Sequence, residues 1–400
     1  DYDGWAKLGN EGWGYDDVLP FFKKSENHQQ INELDSDYHG DSGELNVTLP
    51  TRFKTPYVDG FITACKNNGI NENRDYNGST QYGVGLVHST IKDGKRHSAA
   101  AAFLKPVLNR SNLNVITHAK VCKIILKDKK AVGVEYTRGS KKIQVNSEKE
   151  VILSAGAFQS PQLLMLSGVG DSLELKKHGI DCLHELKGVG KNLQDHLFYP
   201  ICVKSKTQDG INHYISPFNQ LKATWDYFIN KKGVFCVGPL EGMAFFDLKQ
   251  NDGNVNFQLH FSPICIDDKY GYDAYDLYDF PRSDGFTILP TLLHPKSRGV
   301  VSLSSSNPND TPIIQPNFFQ RKEDLDQLVK GGRFVFKLMN DNALKSHKLR
   351  DGLPLDRVSE DFLIEHIKKT LETVYHPVGT CKMGTDLMAV SYTHLRAHET

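Results

Sequence analysis

The sequence predicts a mixed α/β fold in which two domains are interleaved along the chain. Residues 113–155 read as short strands that lead through a glycine turn into a helix, which is typical of a ligand-binding α/β unit. Beyond His196 the strands alternate apolar and polar residues, as in an antiparallel sheet. Because no low-complexity linker separates the two patterns, we expect interleaved domains rather than domains in series.

The first hundred residues predict short helices, turns and one strand. Helices are expected over Tyr15–Ser25 and Pro56–Asn67, and a short strand over Glu44–Leu49. A further helix is predicted over 98–108, because Ser98 can cap it and four alanines favour it.

The central region predicts a small meander followed by a buried strand. The meander is expected to use Asn114–Ile116, Val121–Leu126, Ala131–Thr137 and Lys141–Val145. The apolar run 151–153 has the composition of a strand buried on both faces. A helix is expected to begin near Ser160-Pro161, since Ser at the cap and Pro at the first position are a start signal. Gly156 lies between the apolar run and the helix, where the backbone could closely approach a cofactor.

The second half predicts the antiparallel sheet and two long helices. Alternating strands are expected over Val255–Phe261, Phe286–Leu293 and Gly299–Leu303. Helical periodicity follows over Lys322–Met339 and Ser359–Leu371.

Composition excludes several classes of protein. Lys plus Arg and Asp plus Glu both number 48, a zero balance that argues against a nucleic-acid partner. No apolar run is long enough for a membrane span. The seven cysteines form no C-x-x-C pair, so we expect no metal site. Four N-x-[ST] sequons are compatible with secretion without establishing it, so the localisation stays unknown; they lie at Asn46, Asn77, Asn109 and Asn309.

A complete dinucleotide-phosphate loop is missing from the sequence. The G-V-G triplets at Gly168 and Gly188 both lack the third glycine of G-x-G-x-x-G. No Walker loop, G-x-S-x-G elbow or H-E-x-x-H motif occurs either.

Residues 156–170, GAFQSPQLLMLSGVG, resemble the second signature of the glucose–methanol–choline (GMC) oxidoreductases, flavoenzymes that oxidise alcohols. Further blocks resemble the family in the same order: DGWAKLGNEGW (3–13), YHG (38–40), DYNG (75–78), RHSAAAAFLKP (96–106), VGKNLQDH (189–196), PKSRGV (295–300) and HPVGTCKMG (376–384). The resemblance covers residues 1–389 and is strongest to the arthropod branch named after a quinone-dependent glucose dehydrogenase.

The resemblance implies FAD as cofactor and a partial Rossmann-like FAD-binding domain interleaved with a substrate domain built on an antiparallel sheet. The implied division is an FAD-domain extension (1–43), substrate domain (44–95), FAD-binding core (96–196), substrate domain (197–371) and the end of the FAD-binding domain (372–389). Because the family pattern is incomplete at both ends, we expect a fragment that holds FAD weakly and is inactive alone.

His376 is the candidate catalytic residue. Imidazole titrates near neutrality and can take the proton of an alcohol as hydride leaves for flavin N5. The resemblance also implies cofactor contacts for His376, Val121, Ala155 and Gly156, with an ordinary core valine as the alternative for Val121. An alcohol or sugar substrate is implied, with quinone or oxygen as electron acceptor.

Three alternatives remain open at this stage. The chain could be a non-catalytic relative with a binding or structural role, or a nicotinamide dehydrogenase. The polar cluster Asn192, Asp195 and His196 either positions the flavin or forms a hydrogen-bonded turn that holds the domains together.

The last eleven residues, VSYTHLRAHET, resemble a translated sequencing-library adapter rather than the family. We therefore expect residues 390–400 to be foreign and to contribute nothing to the fold.

Overall fold

Helices and strands are mixed along the chain in the computed structural model, which describes residues 1–248, 255–266, 279–347 and 358–391. The mixed α/β prediction is confirmed. The α-helices among these residues are α1 Tyr2–Lys7, α2 Tyr15–Ser25, α3 Pro56–Asn67, α4 Gly156–Leu166, α5 Ser172–Lys177, α6 Pro217–Trp225, α7 Lys322–Met339, α8 Asn342–Lys345 and α9 Glu360–Thr370.

Eighteen strands connect these helices within the described ranges. They are β1 Glu26–His28, β2 Leu45–Val47, β3 Gly83–Leu86, β4 Ile91–Lys92, β5 Lys95–Arg96, β6 Lys120–Lys127, β7 Lys130–Arg138, β8 Lys141–Asn146, β9 Val169–Gly170, β10 His184–Glu185, β11 Leu197–Phe198, β12 Ile201–Lys204, β13 Gly242–Phe246, β14 Phe257–Ser262, β15 Gly285–Leu292, β16 Val300–Ser302, β17 Ile313–Gln315 and β18 Glu372–Thr373.

The largest sheet has seven strands in the order β18-β11-β15-β14-β13-β3, with β12 also paired to β15. Every pairing in it is antiparallel. Strands from residues 83–86, 197–204, 242–292 and 372–373 therefore build one sheet, which agrees with the predicted antiparallel core.

The main core lies where α3 and α7 pack on this sheet. β14 and β15 are buried along their whole length, so they are not the half-exposed strands that their alternation predicted. Aromatic rings fill the interface: Phe61 of α3 stacks on Phe261 at 4.9 Å, and Phe334 of α7 lies 4.9 Å from Phe246. Each fully buried phenylalanine contributes about 1.5–3 kcal/mol of hydrophobic stabilisation.

The predicted meander is present as the sheet β6-β7-β8. β6 pairs with β7 and β7 with β8, all antiparallel. Ser167, just after α4, ties the helix to this sheet, because its hydroxyl accepts the Ile124 N–H at 2.8 Å and donates to the Leu163 carbonyl at 2.6 Å.

Three predicted elements differ from the structure. Residues 151–153 form no strand and Ile152 is 80% exposed, because a parallel strand needs a hydrogen-bonded neighbour and none of the described strands supplies one. Asn114–Ile116 is also irregular for lack of a paired strand. The helix expected over 98–108 is a π-helical turn, Ala100–Leu104, followed by a 3₁₀ turn, Lys105–Val107, although Ser98 does accept the Ala101 N–H at 3.3 Å.

The beginning of the C-terminal tail contradicts the expectation that residues 390–400 contribute nothing. Val390 is only 2% exposed and packs in a second core cluster with Met165, Leu175 and Leu303. Its N–H bonds the Lys382 carbonyl at 2.8 Å. An apolar side chain that finds a pocket and a backbone partner is stabilised whatever its origin. Residues 392–400 lie outside the described residues.

No helix among the described residues has the length and hydrophobicity needed to cross a membrane.

Candidate functional site

The predicted catalytic segment lies along the edge of the large sheet and continues beyond it. β18 pairs with β11, and the chain that follows stays antiparallel to the chain that precedes β11. Val378 and Gln194 exchange two backbone hydrogen bonds of 2.9 and 3.0 Å, and the Gly190 N–H reaches the Thr380 carbonyl at 2.9 Å. Residues 372–380, hereafter the His376 segment, are thus held by residues 190–198.

Asp195 fixes the backbone of His376. One oxygen of its carboxylate, Oδ1, accepts the His376 N–H at 3.0 Å and the His196 N–H at 2.8 Å. The Asn192 amide donates to the Gly379 carbonyl at 3.2 Å. The cluster Asn192, Asp195 and His196 therefore forms a hydrogen-bonded turn that orients the histidine.

Gly379 permits this close pairing. Its φ is +96°, and a Cβ placed there would lie 2.3 Å from the Asn192 carbonyl oxygen. Only glycine meets both requirements, because other residues rarely adopt this φ and would clash with the paired backbone.

Two imidazoles meet at the His376 segment, and a third, His260, is near enough to interact electrostatically with both. Nδ1 of His376 lies 3.4 Å from Nδ1 of His196, and the two rings form an edge-to-face pair with centroids 5.4 Å apart. His376 is exposed, whereas His196 is half-buried and His260, on β14, is 4% exposed.

Burial keeps two of these three rings neutral. It lowers the pKa of His196, and the neighbouring His376 lowers it further. Burial likewise lowers the pKa of His260 to about 4, with His376 and His196 adding to the effect. The hydroxyl of Thr291 donates to the Leu289 carbonyl and so accepts from Nδ1 of His260, which leaves Nε2 as the basic atom of that ring.

The sequence prediction missed His260 and Thr380. His260 is a lone histidine in the apolar strand β14, and a polar ring at a fully buried strand position is the signal that could have drawn attention to it. Thr380 lies inside the HPVGTCKMG block, but its partner in α4 is 223 residues away.

Helix α4 begins earlier than predicted, at Gly156 rather than near Ser160. Pro161 therefore lies inside the helix, where it cannot donate the N–H that the Ala157 carbonyl would otherwise accept. The hydroxyl of Thr380 donates to that carbonyl at 2.6 Å instead. A side chain of the His376 segment thus replaces the missing bond and joins the segment to α4.

The predicted cofactor residues lie at an open end of the β6–α4 unit. Ala155 and Gly156 are exposed at the start of α4, and Val121 on β6 is 39% exposed, so it is not a core valine here. Gly156 has φ +81°, and no atom lies within 4 Å of a Cβ built on it. This exposed, small-residue face fits an aromatic cofactor group that packs directly on backbone.

A cavity of about 80 Å³ borders the His376 segment. Its lining includes Asp195, Phe158 and Pro377, the residue after His376, but not His376 itself. The ring of His376 is therefore exposed beside this cavity rather than part of its wall. No group of three or more metal-binding side chains occurs in the residues that the structure describes.

A β-meander and helix are thus joined through a histidine-bearing segment to a large antiparallel sheet. Models of the GMC oxidoreductase family match residues 1–198 and 295–400. The chain belongs to this family. GMC oxidoreductases are flavoproteins, so FAD is the cofactor, and the nicotinamide alternative is wrong.

Curated relatives from bacteria support the assignment. The chain is 38% identical to an alcohol dehydrogenase [acceptor] of Pseudomonas putida over 98% of its own length and 70% of the relative. It is 35% identical to an oxygen-dependent choline dehydrogenase of Brucella anthropi, over 98% of this chain and 69% of that protein.

Solved structures agree with the fold. Pyridoxine 4-oxidase from Mesorbium loti superposes with a TM-score of 0.83 at 26% identity, covering 99% of this chain and 72% of that one. A formate oxidase from Aspergillus oryzae gives a TM-score of 0.87 at 25% identity, covering 99% and 74%.

Proposed function

We propose that this chain forms the substrate and proton-handling part of an FAD-dependent dehydrogenase or oxidase that oxidises the CH–OH group of a small alcohol, with His376 as general base. The observation that carries the proposal is the exposed His376 ring, whose backbone N–H is held by Asp195 and whose neighbour His196 has a pKa lowered by burial.

His376 would bind the substrate hydroxyl and take its proton. Its Nδ1 faces His196, so Nε2 is the atom that remains to accept a proton from substrate. Flavin, when bound, supplies the hydride acceptor. Burial lowers the pKa of His196 and of His260, so neither of these rings favours accepting the substrate proton.

We further propose that Val121, Ala155 and Gly156 contact the FAD, because their exposed face accepts a flat group without a side chain intervening at Gly156. The domain division at residues 43, 95, 196 and 371 also stays a proposal, supported by the common sheet of β3 and β11–β15. β18 pairs with β11 in the same sheet although it lies just beyond the last of these boundaries.

The substrate is best sought among alcohols. The matched relatives act, by their names, on alcohol or choline, and the proposed arthropod glucose dehydrogenase branch would extend the search to sugars. A panel of primary alcohols, choline and glucose, each assayed with oxygen and with a quinone, separates these cases. Absence of flavin reduction by every substrate would favour a non-catalytic relative.

The test of the general base is His376→Asn in the full-length holoenzyme. The rate of flavin reduction by substrate should fall by about 10²–10⁴-fold, while bound FAD is retained. His118→Asn is a matched control, since His118 is exposed and its φ of +54° tolerates asparagine. A His376→Asn enzyme that reduces flavin at the parent rate would contradict the assignment.

A further inference from the structure

Two cysteines at the large sheet, one on β12 and one just beyond β14, lie side by side. Sγ of Cys202 is 2.9 Å from Sγ of Cys265, although the two residues are 63 positions apart. Cys202 is half-buried on β12, whereas Cys265 is fully buried just beyond β14.

The sheet register brings these residues together. Thr287 of β15 pairs with Cys202 on one side and with Ser262, the last residue of β14, on the other. The hydroxyl of Thr287 donates to the Ile264 carbonyl at 2.7 Å, so the chain after β14 folds back over β15. Cys265 is the next residue and thereby reaches Cys202.

Asn212 holds the Cys265 backbone from both sides. Its amide donates to the Cys265 carbonyl at 2.9 Å, and its carbonyl oxygen accepts the Cys265 N–H at 2.8 Å. The same amide also donates to the Pro281 carbonyl at 2.8 Å. Because this geometry exists before any bond forms between the sulfurs, little further ordering is needed to make one.

Gly285 provides the space for Cys265. A Cβ at this position would lie 2.8 Å from the Cys265 Cβ and 2.2 Å from the Val203 carbonyl oxygen. The strand that separates the two cysteines therefore has no side chain at this point, and the sulfurs can meet across it.

We propose that Cys202 and Cys265 form a redox-sensitive disulfide that fastens β12 to the turn after β14. The oxidant is a small disulfide such as oxidised glutathione. The Cys202 thiolate, the more accessible of the two, attacks it and releases one glutathione thiol. Cys265 then loses its proton, attacks the mixed disulfide and releases the second glutathione, so two thiols are oxidised as one glutathione disulfide is reduced. This site is independent of the alcohol oxidation proposed above.

The first test counts thiols by mass after alkylation in denaturant. The sample is first shown to be folded by its cooperative thermal transition. After equilibration with oxidised glutathione, the protein should have two fewer free thiols than the seven that are counted after reduction. Cys202→Ser should give the same number in both buffers, whereas Cys265→Ser should lose one thiol, because Cys202 stays in its mixed disulfide and carries the mass of one glutathione. Cys236→Ser, which removes a buried cysteine elsewhere, should still lose two thiols on oxidation.

The second test measures thermal stability. Closing a long loop destabilises the unfolded chain, so the oxidised protein should melt about 5–10 °C above the reduced protein. The shift should vanish in both serine variants at the pair and persist in Cys236→Ser. The proposal fails if folded protein keeps all seven thiols in oxidised glutathione, or if peptide mapping joins Cys202 to a cysteine other than Cys265.

Discussion

His39 carries a positive charge between two carboxylates in a region where its side chain is 4% exposed. Its Nδ1 lies 3.0 Å from Glu26 and its Nε2 2.9 Å from Asp75. The hydrogen bond to Glu26 is the main cause that raises the pKa of His39 to about 9. The charged ring therefore links the strand β1 to the turn that precedes β3.

The neighbouring histidines, His28 and His88, are kept neutral by the hydrogen bonds that their rings make. Nδ1 of His28 accepts the Gln30 N–H, so the proton of that ring is on Nε2 and is donated to Nδ1 of His88, 3.1 Å away. Nε2 of His88 then donates to the Arg74 carbonyl at 2.9 Å. A further proton on either ring would break this chain, which agrees with burial lowering the pKa of His28 to about 4.

The charge on His39 gives stability a defined pH dependence. Because its folded-state pKa lies above the usual value of 6.5, its contribution is complete below about pH 6.5 and is lost as the pH rises through about 9. His39→Asn should therefore cost up to about 3 kcal/mol more at pH 6 than at pH 10. Urea unfolding of wild type and variant at both pH values measures this difference, with His118→Asn as control. An equal cost at both values would show that His39 is neutral.

At this scale the sequence predicted the position of His376 in its motif and the small residues near the start of α4. It could not predict that His260 interacts with His376 and His196, nor the charge on His39, because both depend on residues distant in sequence. Glu26 and Asp75 are 13 and 36 positions from His39, and only the folded chain brings all three together.

At the scale of elements, α4 depends on a side chain outside itself. The Ala157 carbonyl has its hydrogen bond from Thr380 because Pro161 lacks an N–H. Thr380→Val keeps the shape but leaves the carbonyl without this donor, and should cost about 1–3 kcal/mol of unfolding free energy.

Pro161→Ala introduces the backbone N–H that, in a regular helix, would bond the Ala157 carbonyl. In this background the backbone N–H that the substitution introduces can bond the Ala157 carbonyl, so Thr380→Val should cost about 1 kcal/mol less than in wild type. The four urea unfolding curves of the double-mutant cycle give the coupling. Additive costs would mean that the hydroxyl contributes only through packing.

The local sequence pattern correctly predicted those helices and strands whose stability depends on local or purely hydrophobic interactions. α3, α7 and the meander strands follow the predicted ranges closely. Residues 151–153 and Asn114–Ile116 were predicted as strands from composition, but a strand requires a partner, and composition carries no information about whether one is present.

At the scale of the whole molecule, the two ends of the described chain pack close together. The Thr385 hydroxyl donates to the Leu8 carbonyl at 3.3 Å, and Val390 fills the core cluster beside Met165. The family and its FAD cofactor could be predicted from sequence because the signature blocks are contiguous. The contribution of Val390 could not, since its burial depends on residues more than 200 positions away.

Two truncated chains test whether the buried C-terminal residues stabilise the fold. A chain that ends at Ser391 should match the 400-residue chain within about 0.5 kcal/mol, as expected if the remaining residues are an appended tail. A chain that ends at Ala389 should lose about 2 kcal/mol more, because the buried Val390 side chain is removed. Thermal or urea unfolding of the three chains measures these differences in stability. Equal stability of the two truncated chains would contradict the role of Val390.

The strand order of the large sheet has a consequence for synthesis on the ribosome. β3, at one edge of the sheet, pairs with β13, whose residues are translated about 160 positions later. β11 waits still longer for β18, the strand at the opposite edge. At about 5–20 residues per second, β3 stays without its partner for about 8–30 s. Its exposed backbone and apolar side chains are available to other nascent chains during that time. This strand order therefore makes chaperone protection valuable to β3 until β13 has emerged.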